Sequence, residues 1–515
     1  MASFGMCRKR LSAILLMIFF HTVVGDSGLP KSEAPRAVSL RNSRVWGPGL
    51  KSEFFLPVRY FYIEAVDQFG ERFPDSVGEK AFAVTIYKKS NDRVRVWTQV
   101  LDRHDGSYIV RYRMYESVMD LEIDILYQGR HVADSPYNLK GMVYHEKCDC
   151  PQPDLDQWFK DMDCPSSYRQ IKQDLGIFKD IDFKKVAKEA VERFSDAGRH
   201  SICHYKIINN KIYRKTYGEH VGFKMFSDAL LLSLTRKVKL PDMEFIMNFG
   251  DWPLENRRLS ENPIPIFSWC GSDDTLDIVI PTYDITEATL EMMSRVTLDI
   301  FSVQGNTGPR WKDKSNMAFW RGRDSREERL QLVEMARQHP DIINASLTNM
   351  FFFPKDEEKY GKIVKPVSFF SFFEHKYQLN LDGTVAAYRL PYLLAGDSTV
   401  LKQSSHYYEH FYKNLEPYVH YVPFKRDLSD LMEKLKWARE HDKEVQEIAH
   451  NAQEFVRHQL APADIFCYHT KLFSEYSKLL KNKPKKDKSF ELVEQEKSHE
   501  TQCGCKPYKI VHEEL

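Results

Sequence analysis

At 515 residues the chain is long enough for roughly two to four domains, each with a well-buried core. Its 74 Lys plus Arg stand against 73 Asp plus Glu, a net charge of +1. No global field therefore draws it to nucleic acid or to acidic partners, and function has to be sought in local sites.

Residues 1–25 carry Arg8, Lys9 and Arg10, then the apolar run "LSAILLMIFF", then Val23 and Gly25 before Asp26. This reads as a cleaved secretory signal. The apolar stretch is short for a membrane anchor, and no second span of about 18 apolar residues follows. The mature chain is expected to be soluble in the secretory lumen, without a membrane span, beginning with a linker over 26–40. Cysteine usage agrees with an oxidising compartment. Cys7 leaves with the signal, and Cys148, Cys150, Cys164, Cys203, Cys270, Cys467, Cys503 and Cys505 remain. Their even number permits four disulfides, with the pairing left open. The Cys-x-Cys pairs at 148/150 and 503/505 lack the companion spacing of a zinc site.

Residues 41–147 contain no cysteine and read as short strands: "RYFYIEAVD", "AFAVTIY", "RVRVWTQV", "GSYIVRYRM" and "LEIDILYQG", separated by Gly, Asp and Asn turn signals. That pattern predicts an antiparallel sandwich. "WGPGL", "DRHDGSYIVRY" and "HVADSPYNL" resemble the filamin-type immunoglobulin-like repeat, which implies a binding or spacer module.

Residues 148–480 read as α/β. Amphipathic helices are predicted in "FKKVAKEAVERF" and around Val445, Ile448, Ala449, Ala452, Phe455 and Val456, and their stripes are core. Short apolar strands lie between them in "FIMNF", "DIVIP", "AFWRG", "YQLNL", "STVLK" and "VHYVPF". The alternation predicts parallel sheets with crossovers. From 481 to 515 the chain is charged and poor in large apolar residues, which predicts a flexible tether. It ends in His512, Glu513, Glu514 and Leu515, similar to the KDEL/HDEL retrieval signal. Retention in the endoplasmic reticulum by a KDEL-type receptor is expected.

Phosphate-loop, dinucleotide-fold, zinc-protease and serine-hydrolase motifs are all missing from the sequence. Asp154/Asp156, Asp161/Asp163 and Asp180/Asp182 have the spacing of a metal-dependent sugar transferase, but such pairs arise by chance in an acid-rich chain. Asn344 opens the sequon Asn344-Ala345-Ser346, a candidate surface glycan site. Arginines at strand ends carry more information. "AFWRGRDSREERL" predicts strand, turn, and a helix starting near Asp324 or Ser325, with Arg321, Arg323 and Arg329 around the helix start. "YQLNLDGTVAAYRLPYLL" predicts a second such unit, with Arg389 in the first turns of its helix. Free amides and guanidinium forks of this kind suit phosphate oxygens.

"KLPDMEFIMNFGDWP", "AFWRGRDSREER", "LDGTVAAYRLPYLL", "HFYKNLEPYVHYVP" and "ADIFCYHTKLFSEYSKLL" together resemble the Rumi-like, capsule-associated-protein family of protein O-glucosyltransferases, in the family's order over about 150–480. With the filamin-type module and "HEEL", the chain looks like that family's KDEL-motif-containing members. The resemblance implies a two-lobed GT-B-type enzyme. It would transfer glucose with inversion from UDP-glucose to serine in EGF-like repeats of secreted and cell-surface proteins, such as Notch-type receptors and matrix proteins, with no cofactor or divalent metal. Carried over residue by residue, the catalytic base is Asp251, before Trp252-Pro253. The donor residues are Arg323, where some members have a small hydroxyl residue, Arg329, Arg389, and the stretch Thr384, Val385, Ala386, Ala387 and Tyr388. UDP-xylose as donor, an inactive lumenal binding protein or chaperone, and an inverting glycoside hydrolase are the alternative readings; the last needs a second acid that no sequence feature identifies.

Overall fold

Alternating apolar residues in the first module build two antiparallel sheets that close on one core. One sheet runs in the order Arg44–Trp46, Arg59–Glu64, Ser107–Met114, Val96–Asp102. The other joins Phe82–Lys88, Val118–Tyr127 and Arg130–His131, with Tyr137–Val143 also paired to the second of these. Phe61, Ile63, Tyr108, Val110 and Tyr112 from the first sheet meet Phe82, Ile123 and Ile125 from the second. The structure is a computed structural model that describes residues 36–90, 92–196, 198–259, 261–494 and 503–505. The expected signal at 1–25 and the "HEEL" sequence lie outside these residues.

All six residues of Arg59–Glu64 are buried, so both faces of this strand are covered. Phe61 and Ile63 point into the sandwich, whereas Tyr60 and Tyr62, with Ile109 and Leu101, join the core of the α/β region. Tyr60 packs on Phe301 with ring centroids 4.8 Å apart, and the Arg457 guanidinium lies 4.6 Å from the Tyr62 ring centroid. A side chain at Gly305 would come within 2.9 Å of Leu101 Cβ, so glycine permits the close approach. The module is thus docked against the α/β region through one sheet face, and residues from 38 onward form a single unit.

The α/β region contains two sheets. The first has the order Ile278–Val279, Ile266–Ser268, Met243–Asn248, Ser201–Ile208, Lys211–Gly218, Glu491–Leu492. Its first three strands are parallel and the rest antiparallel. The expectation of parallel sheets fails here because Asn209 and Asn210 both adopt positive φ and turn Ser201–Ile208 straight into Lys211–Gly218 as a tight hairpin. The second sheet is wholly parallel, ordered Ile343–Asn349, Ser315–Arg323, His375–Asn380, Thr399–Gln403, Val422–Phe424. In chain order this is 2-1-3-4-5. The connections after the first and third strands run to opposite sides, which opens a crevice at the carboxyl ends of those two strands. After the helix Asp442–Gln459, the helix Pro462–Ser477 returns to the first sheet, where Phe473 stacks on Phe245.

Two further sequence expectations need correction. The stretch from 481 to 494 is no tether: Glu491 and Leu492 pair with Arg214 and Tyr213, and Phe490 packs on His204. Three disulfides form among the described residues rather than four: Cys148–Cys503, Cys150–Cys505 and Cys164–Cys467. Cys203 and Cys270 are buried thiols, the first within a central strand and the second just beyond Ile266–Ser268, each enclosed by side chains other than cysteine.

Candidate active site

The central strand of the first sheet, Met243–Asn248, ends in a turn that its last residue builds. Asn248 Oδ1 accepts from Gly250 N at 2.9 Å, while Nδ2 donates to Trp252 O at 2.8 Å and to Ser268 Oγ at 3.1 Å. Asp277 continues the brace by accepting from Ser268 Oγ and from the amides of Leu254 and Glu255. The turn is therefore rigid and holds Asp251 at its exposed tip. No hydrogen bond reaches the Asp251 carboxylate among the described residues, so this group neither caps a helix nor closes a turn. Surrounding protein still desolvates it enough to raise its pKa above the ordinary aspartate value, and Arg323 pulls the other way.

Across from this turn lies the switch-point crevice of the parallel sheet, and the two enclose a cavity of about 450 Å³. Its walls bring together Asp251, Arg323, Arg329, Thr384, Val385, Ala386, Ala387, Tyr388 and Arg389, all of them expected from the sequence. Residues from Asp251 to Arg389, distant in the chain, thus meet at the carboxyl ends of the strands, where an open α/β sheet binds ligands. Asn344 is not among them. It lies on the edge strand, half-buried, and its Oδ1 accepts from Arg321 Nη2 at 2.8 Å. A glycan there would require that contact to open. None of the six Asp-x-Asp aspartates lines the cavity; Asp154 caps the helix Leu155–Asp161.

The arginines divide into braces and free groups. The helix after the first parallel strand is Glu327–Gln338 and not a helix from Asp324, because the Asp324 carboxylate accepts from the amides of Phe351, Phe352 and Phe353 instead. Arg329 is buried in its first turn and donates to the carbonyls of Asp382 at 2.7 Å, Leu381 at 3.1 Å and Arg323 at 3.1 Å. A Cβ at Gly383 would sit 3.2 Å from Arg329 Nη2, so the loop uses glycine where the guanidinium passes. Arg326, which sequence reasoning missed, holds the same loop through Gly383 O at 2.5 Å and Thr384 O at 3.0 Å. Burial lowers Arg329 to about 9, helped by Arg389, which leaves it cationic at neutral pH. Arg389 is the cap before the short helix Leu390–Ala395, not a residue inside it, and donates to Arg321 O at 2.6 Å. Burial lowers it to about 10 against the pull of Asp284.

Two donor sets in the cavity have no protein acceptor among the described residues. One is the exposed Arg323 guanidinium. The other is the row of amides of residues 384–388, which the tight turn from Gly383 N to Val385 O leads into. Such a concave row of amides, with cations beside it, is suited to an anion. Asp284 adds a second carboxylate that the sequence did not reveal, raised to about 6 by burial and by Glu287 while Arg389 opposes. Its signal, an acid in the first turn of Tyr283–Leu290, is common to many helices. The cavity can therefore hold an anionic leaving group against one wall and remove a proton at the other.

The sequence profile of glycosyl transferase family 90 matches residues 159–509, and that of the filamin/ABP280 repeat matches residues 37–138. The chain is 56% identical to protein O-glucosyltransferase 2 of Danio rerio over 472 residues, 92% of this chain and 94% of that one. It is 49% identical to protein O-glucosyltransferase 3 of Homo sapiens over 513 residues, 98% of this chain and 100% of that one. Identity to protein O-glucosyltransferase 1 of Homo sapiens is 29% over 339 residues, 64% of this chain and 84% of that one.

Proposed function

The chain belongs to glycosyl transferase family 90, and from that membership we infer that it is a protein O-glucosyltransferase whose two α/β lobes form a GT-B-type enzyme. Glucose moves from UDP-glucose to a serine hydroxyl of EGF-like repeats in the lumen of the endoplasmic reticulum, where a KDEL-type receptor returns the enzyme through "HEEL". The observation that carries this reading is the unbonded Asp251 carboxylate facing, across one cavity, the free donors of Arg323 and of residues 384–388.

In the reaction the serine oxygen attacks the anomeric carbon as its proton passes to Asp251, and the bond to the β-phosphate oxygen breaks. Attack from the face opposite UDP inverts the α-linked donor to a β-linked product. A base of this kind contributes about 10²- to 10⁴-fold. The diphosphate gains negative charge as it leaves, and Arg323, Arg389 and the amide row stabilise that charge without a divalent metal. Arg329 and Arg326 act one step back by holding the loop that presents the amides. No helix among the described residues is long and apolar enough to cross a membrane.

The test is to incubate the purified chain with folded EGF-like repeats and either UDP-glucose or UDP-xylose, and to weigh the products. A gain of one hexose on serine is expected, with Asp251→Asn inactive while UDP affinity and melting temperature hold. A pentose product would reassign the donor, and more than about a tenth of wild-type activity in Asp251→Asn would place the base elsewhere.

A further inference from the structure

The chain passes between the two α/β lobes twice, and the filamin-type module grips both crossings. The outward crossing runs from the helix Ile300–Gln304 through Gly305 to the strand Ser315–Arg323. The return is the turn from the helix Asp442–Gln459 into the helix Pro462–Ser477. Where two lobes are joined by two crossings, any rotation of one lobe against the other is absorbed in those segments. We propose that the module is a clamp on this hinge: by tying both crossings to one β-sheet it fixes the angle between the lobes, and so the distance from Asp251 to the amide row of residues 384–388.

One residue touches both crossings. The Tyr60 ring packs on Phe301 of the outward crossing at 4.8 Å, and its hydroxyl is hydrogen-bonded to the backbone of Ala463 in the return. Tyr62, two residues on and therefore on the same face, meets Phe301 edge-on at 6.5 Å and lies 4.6 Å from the Arg457 guanidinium. From the adjoining strands, Arg111 holds Asp299 and Ser302 at the start of the outward helix, Leu101 abuts Gly305 at its end, and Arg103 reaches Glu454 at 3.5 Å. All five module residues are buried. Farther out, the module and the two segments part around a cleft of about 1180 Å³ lined by Arg72, His104, Arg310 and Lys443, so the grip is concentrated at the crossings. No module residue lines the catalytic cavity, but Leu298 in its wall directly precedes Asp299, which Arg111 holds. Beside the cavity itself the backbone pairing between the lobes is short, Gly271 and Ser272 with Tyr408 and Tyr407. A ladder of two residues a side is marginal alone, which leaves the module as the larger restraint.

Gly305 supplies the test. Its φ of −90° is open to alanine, yet a Cβ there would meet Leu101 Cβ at 2.9 Å, so Gly305→Ala drives a wedge between module and hinge that Leu101→Ala removes. Spin labels on Lys188→Cys in the first lobe and Lys436→Cys in the second, both exposed, report the separation of the lobes by double electron–electron resonance, while Cys203 and Cys270 are buried away from the label. The otherwise unaltered chain should show one narrow distance, Gly305→Ala a broad distribution, and Leu101→Ala/Gly305→Ala the narrow one again. Tyr60→Phe keeps the ring and loses only the tie to Ala463, and should broaden the distribution less. In Gly305→Ala kcat should fall at least about tenfold, because the base and the donor site ride on different lobes, while the Kd for UDP stays within about threefold, because Arg323 and residues 384–388 share one lobe. Narrow, unshifted distances in both Gly305→Ala and Tyr60→Phe overturn the clamp, as does broadening that Leu101→Ala fails to reverse. The distances need no turnover, so they test the clamp apart from the transferase reading. Distances that respond in a chain that transfers no glucose would uphold the clamp and refute the proposed reaction.

Discussion

Arg111 of the filamin-type domain places Nη1 at 2.9 Å from both carboxylate oxygens of Asp299 in the α/β region, with both residues buried. Arg111 Nη2 also donates to Ser302 Oγ at 3.0 Å, and Asp299 caps the helix Ile300–Gln304 through Ser302 N at 2.9 Å. The contact joins two parts of the chain that the sequence separates cleanly. Removing the cation would leave a buried charge uncompensated, so Arg111→Ala is expected to destabilise the protein by about 3 to 5 kcal/mol. Thermal denaturation measures this. A loss under about 0.5 kcal/mol would mean that the pair is solvated and the docking loose.

The same docking decides what a truncation reports. A chain lacking 41–147 exposes Phe301 and the surface under Tyr60 and Tyr62. It should aggregate on size-exclusion chromatography, whatever its catalytic residues could do. A monodisperse, active truncation would show that the module is only a spacer.

Much of the site could be read from the sequence because its parts sit at punctuated positions. Asp251 lies between an apolar strand and Trp-Pro, and Arg323 and residues 384–389 follow apolar strands at glycine turns. The helices Phe183–Phe194 and Asp442–Gln459 have strong 3.6-residue patterns and form where those patterns place them. The docking was hidden because "RYFYIE" is apolar on both faces, and alternation cannot say what covers the second face. The edge strand Glu491–Leu492 is too short to have a period. Arg329 looks like a phosphate ligand in sequence, yet its hydrogen bonds go to loop carbonyls, as do those of Arg326, which only the fold reveals.

That bracing role yields a distinct expectation for Arg329. A planar fork reaches three carbonyls at once, and a lysine ammonium on a flexible stem cannot reproduce this. Arg329→Lys keeps the charge but should lower both the melting temperature and the UDP affinity, the latter by at least about tenfold as the amide row loses its shape. If stability holds while affinity falls, Arg329 acts by direct contact instead.

Cys148–Cys503 and Cys150–Cys505 close almost the same loop, each with a sequence separation of 355. Once one bond closes it, the second removes little further chain entropy. Cys503→Ser and Cys505→Ser should therefore each cost little, and the double variant about 2 to 5 kcal/mol. Unreduced peptide mapping should recover residues 148–150 joined to 503–505. Equal and additive losses in the single variants would contradict the shared loop.

Chelation tests how leaving-group charge is met. Transfer should survive EDTA, because Arg323, Arg389 and the amides of residues 384–388 supply the positive potential. Activity that vanishes with EDTA and returns with Mn²⁺ would put a divalent ion at the diphosphate.

The pH profile distinguishes the two carboxylates of the cavity. A general base works only when ionised, so kcat/KM must fall as pH drops through its pKa. Burial raises Asp251 above the ordinary aspartate value, and Arg323 restrains the rise. The acid limb should therefore lie above that of an exposed aspartate. Arg323→Gln removes the restraint on the charged form and should move the limb to higher pH. Asp284→Asn instead removes a group at about 6 that pairs electrostatically with Arg389, which should alter UDP-sugar affinity and leave the acid limb in place. If the limb stands near pH 6, ignores Arg323→Gln and disappears in Asp284→Asn, the base is Asp284, and the turn that Asn248 builds serves some other purpose.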